Sequence, residues 1–155
     1  MSAYGDPDEL DRLASRIAAR AQEIRDWRDR HSQRVQAAHW VSTAADAYRK
    51  RVHDDGAELG RVADDLERAA DLLHAHAQEV RETLARIAAI ERAAAEWFER
   101  KGHELLNQAE QAVGALRRAI TAPWEGWPYR PGTLPPSGDR KWLDVGDLLK
   151  SAGAL

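Results

Sequence analysis

The chain has 155 residues, 43% of them hydrophobic and 32% charged, with a formal net charge of −3 and no cysteine. The missing cysteine removes disulfide scaffolds, thiolate metal sites and cysteine nucleophiles together. The mild acidity, with a pI near 6.1, argues against a nucleic-acid partner. No stretch approaches the roughly 18–20 apolar residues that span a bilayer. The length suits one domain, or one domain and a tail. The apolar share is mostly small: 29 residues are Ala, against one Phe and one Met. An excess of Ala, Glu, Arg and Leu predicts long helices with an apolar seam and charged outer faces.

The N-terminal segment MSAYGDPDEL is acidic and has no apolar h-region, so no Sec-type signal peptide is expected. Asp6, Pro7, Asp8 and Glu9 then supply an N-cap, a proline at the first helical position and early acids. Leu10, Leu13, Ile17, Ala21, Ile24, Trp27, His31, Val35 and Ala38 follow at spacings of three and four. That single apolar stripe predicts a first helix over about 7–38, roughly 48 Å long.

The pattern breaks at His39-Trp40-Val41-Ser42. Ser42 and Thr43 are both good caps, and Thr43 with Asp46 matches a capping box, so a second helix is expected from about 43. A connection of about four residues forces the two helices to be antiparallel neighbours. It also holds Trp40 beside Ala44 and Ala45, which leave room for an indole, and near Tyr48. Trp40 is therefore expected both to plug the hairpin end and to shape the surface there.

The second helix carries a seam at seven-residue intervals: Val52, Leu59, Leu66, Leu73, Val80, Ile87 and Ala94. An adjoining row includes Val62, Ile90 and Trp97, and a flanking row holds Ala63, Ala70, Ala77 and Leu84. Six unbroken heptads predict lengthwise packing against other helices, and the alanines allow a close approach. The seam positions singled out for packing are Val52, Leu59, Val62, Leu66, Leu73, Val80, Ile87 and Trp97. One hairpin alone cannot cover both sides of such a seam, so a paired, four-helix arrangement is expected.

Near Gly102 the pattern loosens, and two readings stay open: the long helix continues, or a third helix begins. The stripe resumes at Leu105, Ala109, Ala112, Val113, Leu116 and Ile120. Five of the six prolines then lie between Pro123 and Pro136, interleaved with Trp124, Trp127 and Tyr129. This composition reads as an extended linker. A short amphipathic element follows, with Trp142, Val145, Leu148 and Leu149 on one face. The fold class is all-α: a long antiparallel helical hairpin with a third helix, packing as a bundle, plus a Pro/Gly/Trp-rich tail. The expected division is a helical domain over 1–121 and a tail over 122–155. Trp124, Trp127 and Trp142 should dock, either on the chain's own helices or in an interface with another chain.

The chemistry-bearing residues point away from catalysis. His74 and His76, two apart on a helix, face nearly opposite sides; Asp71 with His74, or Glu99 with His103, could share an ion. A di-metal bundle needs two such motifs and two further inward carboxylates, and the seam holds Val, Leu, Ala and Thr instead. Ser15, Ser32, Ser42, Thr43 and Thr83 lie in no nucleophile turn, and no Gly-rich phosphate loop is present. Asp54-Asp55 and Asp64-Asp65 read as solvated helix faces. The arginines between 20 and 34 alternate with acids and should form intrahelical ion pairs. No metal, no cofactor and no enzymatic activity are expected.

HWVSTAADAYR, from His39 to Arg49, resembles the hairpin signature of the WXG-type, early-secreted-antigen-like proteins of type VII secretion. Trp40 matches the family's Trp, Ala44 and Ala45 its small pair, and Tyr48 its aromatic. Ser42 stands where the family has Gly, and can cap the helix. The resemblance covers about residues 7–95. It implies a non-enzymatic targeting or interaction module that pairs with itself or with another WXG-like helical protein and meets the type VII machinery. It also implies a cytoplasmic protein that is then secreted by a signal-peptide-independent route. The bias of 19 Arg against 4 Lys suits a high-GC actinobacterium. Substrates of that route carry Y-x-x-x-D/E after the second helix. Here the one formal match, Tyr4 to Asp8, lies at the other end, so a partner is expected to supply the signal, or a downstream effector domain to follow Leu155. The alternative is a cytoplasmic helical adaptor or dedicated chaperone.

Overall fold

The computed structural model describes residues 5–112 and 120–155. Tyr4 of the export-like motif, and Val113 and Leu116 of the last predicted stripe, lie outside them. The described residues form three helices and no strand: α1 (Pro7–Ala37), α2 (Thr43–Gln111) and α3 (Trp142–Ser151). The all-α expectation holds, with helix packed on helix.

α1 starts as its sequence dictates. The Asp6 carboxylate accepts from the Asp8 N–H at 2.9 Å, and Pro7 occupies the first turn, where a missing N–H costs nothing. α2 runs unbroken through Gly102, so Leu105 and Ala109 belong to it and no separate helix begins there. A Cβ at Gly102 would meet nothing within 4 Å. The glycine therefore costs only helix propensity, about 1 kcal/mol relative to Ala, which the long helix absorbs. The third helix is instead the short C-terminal element.

Two compact units are present, Asp6–Val80 and Arg81–Leu155. The first is an antiparallel hairpin. Asp11 meets His74, Arg25 meets Asp64, and the Arg49 guanidinium reaches the Ala38 carbonyl. One residue number falls as the other rises, their total staying at about 87, which is the signature of antiparallel pairing. Its buried residues are Ala14, Ala21, Ala45, Ala63, Ala70 and Ala77, with Val80 at the boundary. Alanines seven apart on both helices let the backbones approach. Gly56 and Gly60 extend this strip and receive the Arg28 side chain, whose Cγ would lie 3.5 Å from a Cβ at Gly56.

The second unit is built from large residues. Ile87, Ile90, Ala94, Trp97 and Phe98 of α2 form one core with Trp142, Val145 and Leu149 of α3. Gly146 lets α3 lie close, because a Cβ there would sit 2.7 Å from Ile90 Cδ1. The Pro/Gly segment is not an extended linker. Trp127 stacks on Trp97 at 5.3 Å and 4°, and Trp124 meets both Trp97 and Phe98 edge-on. Polar clasps fix the path: Trp142 Nε1 donates to the Pro136 carbonyl at 2.9 Å. The Glu91 carboxylate accepts from Ser137 Oγ and from the Gly138 N–H. Of the two fates open to the tail tryptophans, the structure takes docking on the chain's own helix. The area an indole hides from water favours that packing over a solvated linker. Composition changes near residue 122, whereas the compact units divide at Val80 and Arg81.

Candidate functional site

The end of the hairpin is built by three side chains. Ser42 is the cap of α2: its Oγ accepts from the Ala45 N–H at 3.0 Å, and its carbonyl accepts from Asp46. Arg49, two turns further on, donates to the Trp40 carbonyl at 2.7 Å and to the Ala38 carbonyl at 3.2 Å. A cation at these carbonyls satisfies acceptors that the end of α1 leaves open and complements the negative end of its dipole. Asp46 accepts from the same guanidinium at 3.1 Å and steadies it. The loop is therefore held by its backbone, and Trp40 is free to face outward.

Trp40 is 51% exposed and lies 6.2 Å from the Tyr48 ring, tilted by 48°. Ala45 is fully buried beneath this pair, while Ala44 points to solvent. Of the motif residues, Trp40, Ala45 and Tyr48 line one groove of about 350 Å³ together with Val35, Ala38 and Arg49, and Ala44 stands outside it. Arg49 is the residue that the sequence reading passed over. Its only signal in the sequence is a cation two turns inside a capped helix.

Above the alanine strip the hairpin presents a row of large, incompletely covered apolar residues. Trp27 is 53% exposed and Val62 44%; Leu13 and Tyr48 are also exposed. Val52, Leu59, Leu66 and Leu73 are half-buried, whereas Val80, Ile87 and Trp97 are buried. A groove of about 410 Å³ opens here, lined by Trp27, Val52, Leu59 and Val62 and rimmed by Asp55 and Glu58. Trp27 stacks flat on His31 at 5.0 Å, which orients the indole.

The opposite flank is closed by charge. The Arg25 guanidinium bonds Asp64 at 2.7 Å and Glu67 at 2.6 Å, so it bridges the helices where an intrahelical pair was expected. Arg20 does pair within its helix, with Glu23, and Arg28 pairs with Asp29. The hydrogen bonds to Glu67 and then Asp64 push the Arg25 pKa up. In turn the hydrogen bond from Arg25 holds the Asp64 carboxyl below its ordinary value, against a smaller opposing effect of burial.

Comparison of the chain with family models, curated proteins and solved structures gives no match. A functional reading thus rests on the geometry and on the sequence resemblance of residues 39–49. His74 Nδ1 lies 2.7 Å from Asp11, so this histidine is engaged across the hairpin and not with Asp71. Among the described residues no three His, Asp or Glu side chains converge as metal ligands. No described helix is long and apolar enough to cross a membrane.

Proposed function

We propose that the chain is a non-enzymatic helical targeting or interaction module of type VII secretion, acting by helix–helix association and by presenting the Trp40 loop. The observation that carries this reading is the row of half-exposed large residues around Trp27, Leu59 and Val62, lying over a strip sealed only by alanine. Such a contiguous apolar face is costly in water and is characteristic of an interaction surface. The pairing partner is a second copy or another WXG-like helical protein. Support for the loop's part comes from Trp40, whose backbone is fixed by Arg49 while its indole stays half-exposed. A surface aromatic on a rigid frame suits recognition by a secretion machine.

The test is Trp40→Ala. Loss of a half-exposed indole should cost roughly 1–2 kcal/mol, well short of the 3–5 kcal/mol for a buried one. Secretion of this variant by a type VII-competent host should fall further than that loss of stability explains. Unchanged secretion would overturn the targeting role. A cytoplasmic helical adaptor is the second reading, favoured by the 69 residues of α2. Retention of the wild-type chain in such a host, with partner binding intact, would establish it instead.

A further inference from the structure

The hairpin end is basic in a chain that is acidic overall. Residues 30–53 carry five Lys or Arg and one acid, Asp46, a formal +4, whereas the whole chain is −3. Three of the five cations are committed. Arg49 holds the loop carbonyls and Asp46, Lys50 bonds Asp54 at 2.7 Å, and Arg51 reaches Asp55 at 3.6 Å. Arg30 and Arg34, one turn apart on a single face of α1, have no acid partner among the described residues.

Arg34 lines the same groove as Trp40 and Tyr48. Apart from the two rings, that groove has small apolar side chains, His31, Arg34 and Arg49, and no described carboxylate lines it. Its apolar wall is already formed, with the rings 6.2 Å apart and the Trp40 backbone clamped by Arg49. A concave aromatic surface with an uncommitted guanidinium beside it suits a ligand that carries both an apolar side chain and a carboxylate. Direction decides between a peptide and a lipid surface. Arg34 and Arg30 lie four and eight residues before Ala38, about 6 and 12 Å up the side of the hairpin at 1.5 Å per residue. A flat headgroup layer would meet the exposed tip, Trp40 and Val41, before it met either arginine. A peptide running alongside α1 meets the rings and both arginines together.

We propose that this groove binds a short acidic peptide segment of a partner protein. Its apolar side chain lies against Trp40 and Tyr48, and its carboxylates meet Arg34 and then Arg30. This rests on the loop-presentation reading above and names the chemistry of what the loop meets. The hairpin end is then a charge-selective reader, which rejects basic segments as firmly as it accepts acidic ones.

The full-length chain tests this with a fluorescein-labelled pentapeptide, phenylalanine flanked on each side by two glutamates, followed by fluorescence anisotropy at low salt. Binding should saturate. Exchanging the glutamates for lysines, or the phenylalanine for glycine, should each weaken it about 10-fold or more. Arg34→Gln and Trp40→Ala should each weaken it about 5–20-fold with the far-ultraviolet helical signal retained. Arg30→Gln should weaken it about 2–3-fold. Arg16→Gln removes the same charge about 27 Å further along α1 and should stay within about 2-fold. Equal losses from Arg16→Gln and Arg34→Gln would reduce the binding to general charge attraction and overturn the site. No saturable peptide binding, with vesicles of phosphatidylglycerol bound instead, overturns the peptide in favour of a lipid surface. If the peptide fails while Trp40→Ala still lowers secretion, the ligand class is wrong and the targeting reading stands. If the peptide binds as described and Trp40→Ala leaves secretion unchanged, the groove's ligand stands and the targeting reading falls.

Discussion

The two units draw on the same heptad spacing along α2 and bury it in opposite ways. In Asp6–Val80 the sealed positions are alanines, and the large residues Trp27, Leu59 and Val62 stay open. In Arg81–Leu155 the large residues are the core, with Trp97 only 3% exposed among Phe98, Trp124 and Trp127. Hiding a methyl or methylene group contributes about 0.8 kcal/mol. A strip of alanines therefore stabilises its unit far less than a cluster of indoles does. The hairpin keeps its large apolar surface for a further contact, whereas the second unit spends its surface internally. Periodicity tells which face is apolar; the size of the residues on the closest line of approach decides how much of that face the fold itself can cover.

The largest effect is expected where the second unit is most dependent on one side chain. Trp97→Ala removes the ring on which Trp127 stacks and against which Trp124 packs, and should cost about 3–5 kcal/mol in denaturant unfolding. Near-ultraviolet circular dichroism should lose the coupled indole signal at the same time. A cost below about 1 kcal/mol would mean that the tail is not docked on α2 in solution.

The hairpin should respond to the reverse operation. Ala70→Leu adds volume on the buried line of α2 and should destabilise by about 1–3 kcal/mol through overpacking. The same change at Ala69, which is exposed one position away, should stay within about 0.5 kcal/mol. Equal tolerance at both positions, read from thermal melts, would refute close packing along the alanine strip.

These contrasts also mark what the sequence could and could not disclose. The bounds of α1 and the start of α2 were legible because capping residues announce them: Asp6 with Pro7, and Ser42. The seam was legible from its spacing. The docked tail was not, because proline and glycine describe a backbone that leaves a helix without saying where its aromatics go. Tryptophan at 124 and 127 finds Trp97 only through a return path set by Glu91 and Pro136, contacts some 46 residues apart at Ser137. At the hairpin end, Trp40 and Tyr48 line one groove with Ala45, whereas Ala44, expected beside the indole, stands outside it. Arg49 was missed because its partners are backbone carbonyls, which carry no residue-type signal. Arg25 was misassigned for a related reason. Acids three or four residues away on its own helix looked sufficient, yet Asp64 and Glu67 across the hairpin are better placed.

The smallest effect concerns that cross-helix pair and depends on pH. The folded-state pKa of Asp64 lies below its unfolded value near 3.9, so its contribution is complete above about pH 4. It is lost as the pH falls through the lowered folded value. Asp64→Asn should therefore flatten the acid limb of the melting temperature below about pH 4. Near pH 7 it should change stability only slightly, as befits an exposed pair screened by water. An acid limb identical to that of the wild type would show that Arg25 rests on Glu67 alone.

The central claim is that the open apolar face of the hairpin exists for association, and light scattering across a concentration series tests it most directly. The wild-type chain should approach twice its 17.3 kDa at micromolar concentration. Trp27→Gln combined with Val62→Gln should return it to a single-chain mass while its far-ultraviolet helical signal is retained. A wild-type chain that remains a well-folded monomer throughout, or a double variant that associates as strongly as the wild type, would contradict the claim.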